Sequence, residues 1–212
     1  MLLLFTALFL GFLHGLGPDH LMAIAALSID GRSVEAGAAR ARALGVACKF
    51  AVGHALLLAA GAGLIVMIGW SIPAPVERGG EMLGGALLIV MGLVTLQHLR
   101  LHRAPGTAHV EPHTSRAHSH VPTLLGAAFA VSSLRALALL TPFGADLGTA
   151  PVPLVVMLIA VFACGIMVSM SLFGVALAGL LSMRALERIG HGAGALVGMS
   201  SVVLGVVWVL TA

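Results

Sequence analysis

Residues 2–27 read LLLFTALFLGFLHGLGPDHLMAIAAL, and the placement of this stretch decides the fold. Its opening run, Leu2–Leu13, is apolar apart from Thr6, and apolar sequence resumes at Leu21. A helix needs roughly 20 apolar residues to cross about 30 Å of hydrocarbon, so the stretch reads as one membrane span. Between its halves stand His14, Asp19 and His20. Ionisable groups at such depth cost up to about 2.5–3.5 kcal/mol each on insertion scales, and they face a bundle interior or a cavity. Ala23-Ile24-Ala25 has the form of a leader-peptidase site, but no basic residue precedes the apolar run. The stretch therefore reads as a retained span and not as a cleaved leader.

The rest of the chain repeats the pattern. Apolar segments of spanning length cover Leu2–Leu27, Leu44–Gly69, Glu81–Leu99, Pro122–Phe143, Leu154–Leu181 and Ala193–Leu210. The expected fold is all-α, a polytopic membrane protein with six transmembrane helices forming a single domain over residues 1–212. Composition agrees: 59% of the 212 residues are hydrophobic and 9% charged, with a mean hydropathy of +1.09. So few charges could not clothe a soluble core of this size, and intrinsic disorder needs the opposite balance.

The charges that remain are placed selectively. Arg32, Arg40 and Arg42 lie in the first connector, Arg100, Arg103 and Arg116 in the third, and Arg184 and Arg188 in the fifth. The second connector holds only Arg78 and the fourth none. This bias puts connectors one, three and five in the cytoplasm and both termini outside, in a cell inner (plasma) membrane. The net charge of +3 thus reports orientation and not nucleic-acid binding. The one lysine, Lys49, rules out the phosphate-binding loop that ends in Gly-Lys-Ser/Thr. Zinc-protease and serine-hydrolase motifs are also missing, so the reading is not enzymatic.

The two halves echo each other. Phe50-Ala-Val-Gly53 matches Phe162-Ala-Cys-Gly165, Glu77-Arg78-Gly-Gly80 matches Glu187-Arg188-Ile-Gly190, and Leu10-Gly11 matches Leu125-Gly126. With three spans in each half, such repeats would be inverted, an arrangement of secondary transporters that bind substrate near the bilayer midplane.

The chemistry concentrates at His14-Gly-Leu-Gly-Pro-Asp19-His20. Gly15, Gly17 and Pro18 weaken helix continuity, because glycine adds backbone freedom and proline removes a donor. A break there would turn all three side chains into one cavity. Two imidazoles and a carboxylate suit a divalent transition metal such as nickel, cobalt or zinc. The alternative is purely structural, with interhelical hydrogen bonds from the histidines and Asp19 paired to Lys49 or Arg135. Asp19 reads as the one acid well inside a span. In span two, Phe50-x-x-Gly53-His54 adds a third imidazole, and Gly53 would let that helix approach closely.

His14-x4-Asp19-His20 resembles the HX4DH signature of the nickel/cobalt transporter (NiCoT) family and of related nickel/cobalt exporters and UreH-type urease-accessory membrane proteins. Phe50-x-x-Gly53-His54 is similar to that family's next-helix motif. The resemblance implies that His14, Asp19, His20 and His54 form the recognition and translocation site, with Ni2+ or Co2+ as substrate and no cofactor. It departs in span five, where Cys164-Gly-Ile-Met167-Val-Ser169-Met170-Ser171 replaces the family's acidic motif, and in span four, which carries Ser132, Ser133 and Arg135.

The connector 98–121 holds His98, His102, His109, His113, His118 and His120 and reads as a cytoplasmic metal-capture loop. Such a loop suits export. Two other functions compete: a membrane thiol–disulfide carrier using Cys48 and Cys164, and a sulfite-type anion exporter with Arg135 as the anion's partner.

Overall fold

A computed structural model describes residues 1–28, 36–68, 73–101, 120–133, 151–181 and 184–212. Seven helices and no strands occur among them: α1 (Leu2–Gly15), α2 (Pro18–Ser28), α3 (Ala36–Ile68), α4 (Ala74–Leu101), α5 (Val121–Ser132), α6 (Val152–Leu181) and α7 (Arg184–Thr211). Four of them, α3, α4, α6 and α7, contain segments long and apolar enough to cross a membrane. The α1–α2 pair passes the same test jointly, as one span bent by 52°. The protein is a membrane-embedded helical bundle. Where a fourth span was expected at Pro122–Phe143, the described residues form the twelve-residue α5, which is too short to count among the crossing helices, and 134–143 lie outside the described residues. So do Arg135 and most of the histidine-rich connector, from His102 to His118.

The bend falls where Gly15, Gly17 and Pro18 predict it. Leu16 ends α1 with its N–H on the Leu13 carbonyl at 3.2 Å, and the Gly17 N–H reaches the His14 carbonyl at 2.9 Å. Pro18 then opens α2 at the position where a missing N–H removes no helix bond. The start of α4 was expected at Glu81, but the helix begins at Ala74. Pro73 and Pro75 fit its first turn, and Glu81 consequently lies inside the apolar segment Ala74–Arg100. Asp19 is therefore not the only acid within a span.

Helix packing relies on small residues, as expected where lipid removes the hydrophobic drive between helices. Ala7, Ala23, Ala43, Ala47 and Ala51 are buried, while Leu56, Leu124, Leu196 and Val203 face outward. Two crossings are built alike. A Cβ at Gly126 would fall on the Phe50 carbonyl and one at Gly53 on that of Thr123, which locks α5 against α3. At the α1–α6 crossing, Gly11 meets the Phe162 carbonyl in the same way and Gly165 that of Leu8. α4 and α7 run antiparallel, with Gly85 against Gly205 and Gly92 against Gly198. Phe50, Phe129, Ile24 and Ile166 fill the core beside the bend.

Candidate metal centre

The bend brings His14 and His20 together, and the α3–α5 crossing carries His54 to them. One ligand nitrogen from each of the three histidines lies within 4.8 Å of the others. His20 and His54 are fully buried and His14 partly so. Their ring centroids stand 4.5 to 5.5 Å apart. Phe50 stacks on His54, and Phe162 on His14, which fixes both rings from the apolar side.

Hydrogen bonding sets which nitrogens are available. His54 Nδ1 is 3.2 Å from the carbonyl of Gly126. A carbonyl only accepts, so Nδ1 carries the proton and Nε2 presents its lone pair. That Nε2 faces His14 Nε2 at 3.3 Å. Two nitrogens bound about 2.0–2.1 Å from one metal are about 2.8–3.0 Å apart at adjacent octahedral positions and about 3.3–3.4 Å apart in tetrahedral geometry, so this pair already has the tetrahedral chelating separation. A cation between them would replace the proton they now share. The Gly126 carbonyl is the outer partner that metal-binding imidazoles ordinarily have.

His20 is held differently. Its Nε2 lies 3.3 Å from Ser133 Oγ, and that hydroxyl donates to the Phe129 carbonyl at 3.0 Å. With its proton so committed, Ser133 accepts from Nε2–H, which leaves Nδ1 as the lone pair. Nδ1 is 3.1 Å from Asp19 Oδ1, an ion-pair distance. Its direction nevertheless makes no hydrogen bond, and both Nδ1 and Asp19 Oδ2 are buried without a partner. Direction decides here over distance. A carboxylate and an imidazole nitrogen are pressed together in an apolar interior with Oδ2 and Nδ1 unsatisfied, an arrangement that a bound cation would relieve. Gly17 makes it possible, since a Cβ there would sit 2.6 Å from Asp19 Oδ1 and 2.7 Å from His20 Nδ1.

All four sequence-predicted residues thus meet in one place: three imidazoles form the ligand group, and Asp19 stands against His20. Sequence reasoning missed the Gly126 carbonyl and Ser133 as their supports. The echo of Leu10-Gly11 in Leu125-Gly126 was the available signal for the first. A cavity of about 410 Å³ opens from His14, Asp19 and His20 toward Glu81 of α4, Ser132 and Ser133 at the end of α5, and Trp208 and Thr211 near the end of α7. Elsewhere, Cys48 and Cys164 are both free thiols. Cys48 Sγ is 3.9 Å from Ser171 Oγ, two helical turns, about 10 Å, along α6 from Cys164.

No protein-family model, curated protein or solved structure matches the chain. The geometry of the site carries the functional reading.

Proposed function

We propose that the chain is a secondary transporter of a divalent transition-metal ion, nickel or cobalt, which passes through an intramembrane site of His14, His20 and His54 with Asp19 as the adjoining carboxylate. The observation that carries this reading is the convergence of three neutral-imidazole donors at a break in a membrane span. Borderline nitrogen donors suit nickel, cobalt and zinc better than magnesium or calcium. Broken spans supply the irregular backbone at which transporters hold ions. The resemblance of His14-x4-Asp19-His20 and Phe50-x-x-Gly53-His54 to the nickel/cobalt transporter signatures points the same way. The ion is substrate, not a resident cofactor.

The proposed architecture has six spans in two inverted three-helix repeats, with α5 as the first part of span four. The paired crossings support it. Leu8 and Gly11 stand to Phe162 and Gly165 as Thr123 and Gly126 stand to Phe50 and Gly53. Three residues beyond Gly11 is His14, packed on Phe162 at 6.1 Å; three beyond Gly126 is Phe129, packed on Phe50 at 5.6 Å. In this reading only the first half keeps the imidazole. Both termini lie outside the cytoplasm, the connector between the halves collects metal on the cytoplasmic side, and the direction is export driven by counter-moving protons.

Accumulation of radioactive nickel and cobalt, compared in cells with and without the protein, tests this and gives the direction by its sign. Export predicts lower accumulation with the protein, abolished as an effect by His14→Ala or Asp19→Asn and preserved in Arg135→Ala. Unchanged transport by the first two variants would sink the metal-site reading.

A further inference from the structure

The cavity that opens from His14, Asp19 and His20 extends well beyond them, to the oxygens of Glu81, Ser132, Ser133 and Thr211. We propose that it holds an outer cation station, where the Glu81 carboxylate and the hydroxyl oxygens of Ser132, Ser133 and Thr211 hold a divalent cation that regains its water shell on leaving the histidines. The proposal rests on the metal-ion reading of the histidine cluster and adds the aqueous station on its outer side, through which an ion in free solution also reaches the imidazoles.

Volume is the first argument. Six first-shell waters at about 30 Å³ each occupy about 180 Å³. The cavity, at about 410 Å³, admits the complete hydrate, whereas a bare ion held by three imidazoles needs no such space. Polarity is the second. Waters on a cation offer only protons to their surroundings, so a hydrate is recognised by acceptors. Ser132 Oγ donates to the Phe129 carbonyl at 2.7 Å, Ser133 Oγ to the same carbonyl at 3.0 Å, and Thr211 Oγ1 to the Val207 carbonyl at 2.9 Å. All three hydroxyl protons are used within their own helices, so these side chains present lone pairs. An anion would need the reverse.

The third argument comes from Asp19 and Glu81. Asp19 lines the cavity, is 3% exposed, and leaves Oδ2 buried without a hydrogen-bond partner. Such an atom points to a positive guest. Glu81 lies within the apolar segment Ala74–Arg100, where a carboxylate is expensive unless it faces a cavity. Oxygen ligands suit a hydrated ion and imidazoles a dehydrated transition metal, so the two stations differ as successive steps should.

Stopped-flow binding of Co2+ to the purified full chain tests this, with the absorption spectrum of the bound ion reporting its ligands. Glu81→Gln is expected to slow association about tenfold, in the range that a charged, low-dielectric cleft contributes to cation capture. The bound-state spectrum should stay that of the unsubstituted protein. Glu81→Asp should recover most of the rate, and Glu77→Gln, one turn earlier and outside the cavity lining, should leave it unchanged. An unaltered rate in Glu81→Gln, or an equal loss in Glu77→Gln, would overturn the outer station. So would a changed spectrum, which would make Glu81 an inner ligand. If the unsubstituted protein takes up no Co2+ at all, it is the histidine reading that fails.

Discussion

Gly17 has no side chain, yet it determines how Asp19 and His20 meet. Its missing Cβ leaves room for the Asp19 carboxylate and His20 Nδ1 to lie side by side. Gly17→Ala should push the pair apart and weaken nickel or cobalt binding at least about tenfold, with helical circular dichroism unchanged. Ser133→Ala removes the acceptor that fixes His20 Nε2 and should weaken binding about 10- to 100-fold, the usual effect of losing a ligand's outer partner. Isothermal titration with Ni2+ measures both. At this scale the members of the cluster were legible from the chain alone, because His14, Asp19, His20 and His54 are ionisable residues in apolar surroundings and insertion energy makes each conspicuous. Their supports were not. A backbone carbonyl such as that of Gly126 belongs to every residue type, and a serine hydroxyl is cheap enough in a helix to carry no pattern.

Among the elements, the α3–α5 crossing is the one on which the site depends. Gly53 and Gly126 each abut a carbonyl of the opposite helix, so neither can gain a methyl without the helices separating. Gly126→Val should lower stability by about 1–3 kcal/mol, as overpacked cores do, and also draw the carbonyl away from His54 and weaken metal binding. Gly63→Val, where nothing lies within 4 Å, should do neither. Thermal unfolding followed in detergent separates the two. The helices themselves were largely legible, since apolar length marks α3, α4, α6 and α7 directly. The bend in span one followed from Gly15, Gly17 and Pro18. The start of α4 did not: a reading by hydropathy stops at Glu81, because a carboxylate looks like a boundary, while Pro73 and Pro75 begin the helix two turns earlier. That difference turned Glu81 from a flanking charge into a cavity residue.

In the whole molecule, the low charge content makes the few acids inside the apolar segments conspicuous. The carboxylates of Asp19 and Glu81 both line the cavity that opens onto His14 and His20. Neutral imidazole is the ligand form, so protons compete with the metal, and binding should weaken in acid. Binding isotherms over a series of decreasing pH check the sign. The central claim is that metal crosses the membrane by way of the histidine cluster, and flux in proteoliposomes containing only the purified chain tests it most directly. With radioactive nickel or cobalt on one side, the unsubstituted protein should give saturable flux that His54→Gln abolishes. Absence of saturable flux, or equal flux through His54→Gln, would contradict it.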